Sequence, residues 1–419
     1  MQVAVIGSGI SGLACAHYLS EQHTVSVFES SKRLGGHTAT MDVQLGTRRF
    51  AIDTGFIVFN DWTYPNFIAL MDELGIGSKP TAMGFSVRDE QSGLEYSGGS
   101  IDALFAQRRN LISPRFLRMV RDILRFNRES LLDLENGHLS DEESLGDYLS
   151  RNSYSEGFRR DYLIAMGSAI WSSDSASMMD FPIQFFVRFF KNHGLLSIKN
   201  RPQWRVIEGG SREYIAPLCH RFEQRIHRST PVQAIRRGPG GVTLVLGDGQ
   251  EQRFDQVVIA THSDQALAML ESPSAAEREV LGALPYQGND VVLHTDTRLL
   301  PKNRKTWSSW NYRLGVDESR AVVTYNMNIL QGIEAPETFC VTLNDTDSIN
   351  PHKILGRFRY DHPVFSLRGI AAQQRQSEIN GQQNTWYCGA YWHSGFHEDG
   401  VVSALRVARG IGSLDREAA

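Results

Sequence analysis

The first thirty residues show a regular change between apolar runs and a helical pattern. Residues 3–6 form a short, continuous apolar run, which is typical of a strand buried on both faces of a parallel sheet. A glycine-rich stretch over residues 7–12 follows, and the apolar spacing of residues 10–19 predicts a helix. A second apolar run covers residues 25–28. The pattern therefore predicts a strand–helix–strand unit with a glycine-rich turn after its first strand.

The glycines of this turn have the spacing G-x-G-x-x-G of a dinucleotide-binding loop. Gly7 permits the tight turn, Gly9 lets the backbone approach a pyrophosphate, and Gly12 lets the helix pack closely on the strand. The helix N-terminus offers free N–H groups to phosphates. Glu29 ends the second strand about 20 residues further on, where a carboxylate can accept ribose hydroxyls. NAD and FAD both contain ADP, so the loop by itself leaves both open.

The segment that follows bears on this choice. Arg33-Leu34-Gly35-Gly36 comes shortly after Glu29. On these residues the chain resembles the flavin-containing amine oxidoreductase superfamily, which includes monoamine and polyamine oxidases, protoporphyrinogen oxidase and phytoene desaturases, and bacterial NAD/FAD-binding proteins of that type. In this family an R-x-G-G segment follows the FAD pyrophosphate. The resemblance therefore implies FAD as the cofactor. It also implies non-covalent binding, since no cysteine matches the family's attachment position.

The end of the chain is similar to the family's last FAD motif, in which a strand runs through a glycine into a helix. By this resemblance Gly389 passes the ribityl chain and Val401 offers its backbone N–H to the flavin ring. The family often has an acid where this chain has Ala390, which leaves Glu398 or Asp399 to hold the ribityl hydroxyls. The candidate cofactor-binding residues are Gly7, Gly9, Ser11, Gly12, Glu29, Ser30, Arg33, Gly35, Gly36, His37, Gly55, Val232, Gly389, Asp399, Gly400 and Val401.

The resemblance also implies the fold, an α/β protein with a Rossmann-like FAD-binding domain of the glutathione-reductase-2 type. An α+β substrate domain, with a helical part and a mixed sheet, is interleaved with it. The FAD-binding domain is expected to be discontinuous, and the substrate domain to fill the gaps. The predicted limits are 1–60, 200–265 and 384–419 for the first, and 61–199 and 266–383 for the second.

Within these domains the apolar periodicity predicts individual elements. Residues 66–74 and 114–134 have the amphipathic spacing of helices, and Ser144 with Asp147 is a variant of the capping box. Residues 241–249 have the alternation of a strand that ends in a hairpin turn.

Composition excludes several classes of protein. In 419 residues, 41% are hydrophobic and 21% charged, as in an ordinary globular protein, and the formal net charge of -4 gives no reason to expect nucleic acid. The predicted first strand begins at residue 2, so we expect no signal peptide and a cytoplasmic location. The four cysteines are far apart, which argues against a metal site. The oligomeric state is left open.

The catalytic candidates are residues expected near the flavin ring. His294 lies in a strand-like apolar run, where a core histidine is an equal alternative, whereas Tyr391 and Trp392 adjoin Gly389, where family members place aromatics. The family's amine oxidases hold a lysine near flavin N5, and residues 290–296 contain none. We therefore expect an FAD-dependent oxidoreductase that accepts a hydride at N5 from a hydrophobic or lipid-like substrate. The alternatives are an amine oxidase that produces hydrogen peroxide and a flavin-binding protein without turnover.

Residues 113–128 carry arginines at steps of three and four beside an apolar face. Two interpretations follow. The segment is either a helix with an ordinary solvated arginine face, or a peripheral contact with an anionic bilayer at the inner face of the membrane.

Overall fold

A five-stranded parallel sheet forms the centre of the first structural unit. The computed structural model describes residues 1–315 and 319–412. The strand Gln2–Ile6 lies in the middle of this sheet and its apolar side chains are buried on both faces, as its sequence predicts. The outer strands come from the middle and the end of the sequence. The strand order is Ile226–His227, Thr24–Phe28, Gln2–Ile6, Gln256–Ile259 and Thr385–Tyr387, all parallel.

Helices cover one face of the parallel sheet. The helix Ile10–Leu19 packs directly against the C-terminal helix His397–Ile411. Gly400 lies at their contact, where an added Cβ would be 2.8 Å from side-chain atoms of both Ile10 and Ser11. The two helices can therefore approach this closely only with glycine at position 400.

An antiparallel sheet and two short helices cover the opposite face. The sheet strands are Val232–Gly238, Gly241–Leu246 and Glu251–Phe254, and the predicted hairpin at residues 241–249 is confirmed. The helices are Ser263–Met269 and Ala275–Leu281. Both faces of the parallel sheet are thus covered, as in a doubly wound α/β domain.

The second unit is built on a seven-stranded mixed sheet. Its strands pair antiparallel except for Trp310–Leu314 with Phe85–Asp89, which pair parallel. The strand order is Ile354–Pro363, Tyr286–His294, Cys340–Leu343, Val323–Asn326, Trp310–Leu314, Phe85–Asp89 and Glu95–Ser97. The unit is therefore α+β, and the α/β class predicted for the whole chain is confirmed.

Helices with an aromatic core pack beside this sheet. The longest, Pro114–Glu135, matches the predicted helix to one residue, with the Ser113 side chain accepting from Phe116 N–H at its start. Ser144 caps the helix Leu145–Arg151 by accepting from Asp147 N–H, which confirms the predicted cap. The other helices of this layer are Glu156–Phe158, Ala165–Trp171, Ser175–Met179 and Ile183–Asn192.

The packing differs from the predicted domain limits in two places. The helix Pro65–Glu73 buries Phe67 and Leu70 in the same core as the first helix and the parallel sheet. Residues 266–284 pack with the other face of that sheet. Both segments belong to the first unit, because their apolar side chains are buried in its cores. Of the predicted FAD-binding segment 384–419, residues 413–419 lie outside the described part of the chain.

Short elements complete the fold. Two small antiparallel sheets contain Thr40–Leu45 with Arg48–Asp53, and Phe59–Asn60, Trp204–Ile207 and Ser78–Pro80. The remaining α-helices are Ile101–Leu104, Ile215–Cys219, Met327–Leu330, Leu367–Gln373 and Gln376–Ile379. None of the helices in the described ranges has the length and hydropathy needed to cross a bilayer.

A buried charge cluster joins three elements of the first unit. Glu277 accepts bonds from the Arg237 guanidinium, from Tyr387 Oη at 2.6 Å and from Ser274 N–H at 2.7 Å. Both charged side chains are at most 3% exposed. We predict that Glu277→Gln costs about 3–5 kcal/mol of unfolding free energy, because it leaves the Arg237 charge buried and unpaired.

Denaturant unfolding measures this cost. The matched control is Glu271→Gln, whose ion pair with Arg236 is 41% and 48% exposed and is expected to matter by about 0–1 kcal/mol. Equal losses in the two variants would contradict the role of burial.

Candidate functional site

A cavity of about 660 Å³ lies between the two units, at the carboxyl ends of the parallel strands. This is where open α/β sheets bind their ligands. The residues predicted from the sequence divide into two groups. Those that line the cavity are Gly7, Gly9, Ser11, Glu29, Ser30, Gly35, Gly36, His37, Gly55, Val232, Gly389 and Tyr391. Those that do not are Gly12, Arg33, His294, Trp392, Asp399, Gly400 and Val401.

The glycines of the first loop have three different steric environments. Gly7 has φ +100°, and an added Cβ would be 2.7 Å from the Ala260 carbonyl oxygen. At Gly12 a Cβ would be 2.0 Å from the Gly7 carbonyl oxygen. At Gly9 a Cβ would meet nothing within 4 Å. Gly7 and Gly12 are therefore needed by the turn and the helix packing, whereas Gly9 leaves open space in the cavity wall.

Glu29 fixes the glycine loop while it faces the cavity. Its carboxylate accepts bonds from Ser8 N–H at 3.0 Å and Ser8 Oγ at 2.6 Å, and from Ser31 N–H at 2.7 Å. Ser30 and Val232 line the cavity with it. The protein's own groups thus hold the acid at the end of the second strand in one orientation.

Arg33 acts on the backbone of the segment that follows. Its guanidinium donates to the carbonyl oxygens of Leu34, Gly36 and Thr38, at 3.2, 2.7 and 2.5 Å. The side chain therefore holds the loop that presents Gly35 and Gly36 to the cavity, and it is not itself a lining residue.

The C-terminal motif reaches the cavity through Gly389, Tyr391 and the start of the last helix. An added Cβ at Gly389 would be 2.2 Å from the Tyr391 ring, so only glycine fits beneath that ring. Ser394, Gly395 and Phe396 line the cavity just before the helix His397–Ile411 begins. The positive end of this helix dipole is therefore directed at the cavity.

The acids near that helix have other partners. Asp399 accepts the N–H of Phe396 at 2.8 Å, and Glu398 accepts the N–H groups of Asn66 and Phe67, at 3.1 and 2.8 Å. Glu398 thereby caps the neighbouring helix Pro65–Glu73. Neither acid lines the cavity, so the structure does not bring the predicted ribityl-binding acid to the site.

Gly400 and Val401 also lie away from the cavity lining. Gly400 serves the contact between two helices described above. The N–H of Gly400 already donates to the Phe396 carbonyl oxygen. Free N–H groups occur in the first turn of a helix, and Val401 lies beyond that turn. The free donors at this end belong to residues that precede Gly400.

Two predicted catalytic residues are core residues. His294 is fully buried, with Nε2 2.7 Å from Thr342 Oγ1 and Nδ1 accepting from Asp296 N–H at 3.0 Å. Both ring nitrogens are used inside the sheet, and His294 does not reach the cavity. Trp392 packs against Tyr391, with ring centroids 4.9 Å apart, and is also absent from the lining. Tyr391 alone of the three faces the cavity.

Three further histidines that the sequence pattern did not predict also line the cavity. His262, His362 and His397 join His37, and the His37 ring lies 6.3 Å from His262 and 5.3 Å from His362. Burial and the neighbouring histidines hold the pKa of His37 well below its ordinary value, and burial lowers the pKa of His362 to about 4 and of His397 to about 3. The group is therefore neutral near pH 7. Its members are too far apart in sequence for any local pattern to connect them.

The residues present fit FAD. The free space at Gly9, the fixed carboxylate of Glu29 and the N-terminus of the helix Ile10–Leu19 suit the ADP part. Gly389, Tyr391 and the start of the C-terminal helix offer a wall and a positive dipole for the flavin ring. All four cysteines are buried and none is in the cavity lining, in agreement with non-covalent binding.

A glycine loop, a carboxylate at the end of the second strand and a second helix end meet at one cavity, as in a dinucleotide-binding protein. The sequence pattern of the flavin-containing amine oxidoreductase family matches residues 10–327. The chain belongs to this family, whose cofactor is FAD.

Proteins similar to the chain are named as different kinds of enzyme, both oxidases and an isomerase. AofH of Mycobacterium tuberculosis, named as a presumptive flavin-containing monoamine oxidase, is 26% identical over 299 residues, which is 67% of this chain and 61% of AofH. The chain thus spans about three fifths of that relative. Among solved structures, cyclohexylamine oxidase from Brevibacterium oxydans has a TM-score of 0.68 at 17% identity, covering 98% of each chain. A fatty acid isomerase from P. acnes that produces CLA has a TM-score of 0.69 at 16% identity, covering 97% and 98%.

We predict that Gly9→Glu abolishes FAD binding without unfolding the chain. Gly9 has φ -68°, which any residue adopts, and the new side chain would enter open space that the pyrophosphate needs. Flavin absorbance per mole of purified protein measures the loss. Gly238→Glu is the control, because Gly238 is also open but lies on an exposed hairpin. A fully flavin-loaded Gly9→Glu protein would contradict the assignment.

A second prediction concerns Asp399, because burial raises its pKa to about 7 from the ordinary 3.8. An acid with a higher pKa in the folded chain stabilises the fold at low pH, and this stabilisation is lost as the pH rises from about 4 to about 7. Asp399→Asn keeps an acceptor for Phe396 N–H and stays neutral. Its Tm minus that of the wild type should therefore increase over this pH range.

Thermal unfolding at several pH values tests this dependence. Asp248→Asn, which removes a carboxylate at an exposed turn, is the control. A Tm difference for Asp399→Asn that is constant with pH would refute the prediction.

Proposed function

We propose that the chain is an FAD-dependent oxidoreductase that takes a hydride from a hydrophobic, lipid-like substrate. The observation that carries this proposal is the lining of the cavity beyond the glycine loop, which is apolar and aromatic. These lining residues are Ile57, Val58, Ile170, Trp171, Val291, Trp310, Tyr325, Leu343, Tyr360, Phe365 and Phe396.

The charges around the cavity favour a neutral substrate over a protonated amine. Among the described residues, Glu29 and Asp361 are the acids of the lining, and no lysine is present there. Glu29 is engaged at the glycine loop. Side chains one residue apart in a strand point to opposite faces of the sheet, so Asp361 points away from the face of Tyr360 and His362. The Asp361 carboxylate pairs with the Arg359 guanidinium at 3.6 Å. The described lining therefore contains no unpaired carboxylate that could bind an ammonium group.

The strand expected to carry the family's lysine supports the same conclusion. In Tyr286–His294 the lining residues are Tyr286 and Val291, the second of which is 1% exposed and packs in an apolar cluster. Bound FAD supplies the hydride acceptor. The chain's own residues exclude water from the apolar space and place Tyr391 and the helix end His397–Ile411 at the cavity wall.

The fold itself does not choose the substrate, because the named neighbours include an amine oxidase and a fatty acid isomerase. Anaerobic titration of the purified holoprotein separates the candidates. We expect the visible flavin band to bleach with unsaturated long-chain lipids and not with primary amines. Bleaching by amines alone would favour the amine oxidase, and no bleaching by either class would favour a flavin-binding protein without turnover.

A variant tests whether the apolar space holds the substrate. Ile170 lines the cavity and is only partly buried, so Ile170→Trp fills the space with little cost to folding. We predict roughly a tenfold or greater fall in the rate of flavin reduction by the apolar substrate, with FAD content unchanged. Ile198→Trp, at a side chain that is 69% exposed, is the control. An unchanged rate in Ile170→Trp would place the substrate elsewhere.

A further inference from the structure

Exposed apolar side chains are concentrated in one stretch of the chain. Of the ten large apolar side chains exposed in the described ranges, six lie between residues 101 and 132, although this stretch is less than a tenth of the sequence. They are Ile101 (80%), Leu111 (51%), Ile112 (83%), Leu117 (43%), Leu124 (50%) and Leu132 (50%). We call the surface they form with the arginines between them the leucine–arginine surface.

The helix Pro114–Glu135 supplies most of this surface. Its inner face buries Phe116, Met119 and Phe126 in the aromatic core. Leu117, Leu124 and Leu132 follow at steps of seven and eight residues, so they lie along one outer stripe of the helix.

The neighbouring elements extend the stripe at its N-terminal end. The short helix Ile101–Leu104 is followed by the turn Arg108–Ile112, which leads directly into the long helix. The Phe105 and Phe116 rings are 5.7 Å apart and tie these elements together. The most exposed isoleucines, Ile101 and Ile112, therefore lie on elements next to the start of the stripe.

The charge of this stretch is opposite to that of the whole chain. Residues 101–132 contain seven arginines and three carboxylates, a formal charge of +4, whereas the chain has -4. Arg121 and Arg128 lie between the exposed leucines, are 71% and 72% exposed, and have carboxylates no nearer than 3.9 and 3.7 Å. No ion pair of Arg118 is found within the described residues.

We propose that the leucine–arginine surface docks the protein on an anionic lipid bilayer, with the long helix lying in the plane of the membrane interface. Exposed leucine and isoleucine side chains would enter the headgroup boundary, and the arginines would meet anionic headgroups. A helix rises about 1.5 Å per residue, so the stripe from Leu117 to Leu132 is roughly 22 Å long and matches an extended, flat, negatively charged surface.

The proposed docking is independent of the substrate proposed above, since it concerns binding and not turnover. The probe is the purified holoprotein with vesicles of phosphatidylcholine, alone or mixed with phosphatidylglycerol, in a sedimentation assay. We expect binding to the mixed vesicles that weakens with added salt, and little binding to pure phosphatidylcholine. No binding of the wild type to mixed vesicles at low salt would overturn the proposal.

Two sets of variants separate the charged from the apolar contribution. Replacing Arg118, Arg121 and Arg128 by glutamine should lower the partition coefficient about a hundredfold, since each arginine contributes about a factor of five at an anionic surface. The matched control replaces the exposed Arg278, Arg357 and Arg368 by glutamine. An equal loss in the control would show a nonspecific effect of net charge and would overturn the proposal.

The apolar contribution is tested with Ile112→Asp and Leu117→Asp in one protein. Ile198→Asp with Leu355→Asp is the control, because those side chains are 69% and 38% exposed, close to the 83% and 43% of the test pair. We expect vesicle binding to be lost in the test protein only, with FAD content unchanged in both. Sedimentation velocity tests whether a second copy of the chain, and not a bilayer, binds this surface. A wild-type dimer that the test pair converts to monomer, without vesicle binding, would assign the surface to a second copy of the chain.

Discussion

The close approach of backbone to backbone around the first glycine loop is the constraint on which the site depends. Gly7 leaves no room for a side chain beside Ala260, and Gly12 leaves none beside Gly7 itself. Gly400 repeats the situation where the C-terminal helix meets the first helix. These contacts bring the first strand, the first helix and the last helix to one point. The cavity wall at Gly9 exists because its neighbours are packed this tightly.

A second constraint is that buried helix ends need partners for their N–H groups. Glu398 and Asp399 meet this need, one at the helix Pro65–Glu73 and the other at the helix His397–Ile411. Both acids lie next to the cavity in sequence, and both are committed to capping. The first turn of the C-terminal helix thus contains both acids, and neither of them lines the cavity.

The cavity combines polar and apolar regions that come from different units. The glycine loop, Glu29 and the loop held by Arg33 belong to the parallel-sheet unit. The aromatic and aliphatic lining comes largely from the mixed sheet and the helical layer. The four histidines contain members from both units and are kept neutral by burial. A site assembled in this way can keep its glycine-loop part constant while the lining from the other unit varies.

Features that depend on local geometry could be predicted from the amino-acid sequence. The glycine spacing, the acid after the second strand, the helix Pro114–Glu135 and the cap at Ser144 are all set by residues close together in the chain. Which side chains reach the cavity depends on contacts between distant segments, and these form only in the folded chain. The role of His294 could not be judged from its sequence neighbours, because its partner Thr342 is 48 residues away and is brought to it by strand pairing. The histidines at positions 262, 362 and 397 were not recognised for the same reason, since contacts between distant segments form only when the chain is folded.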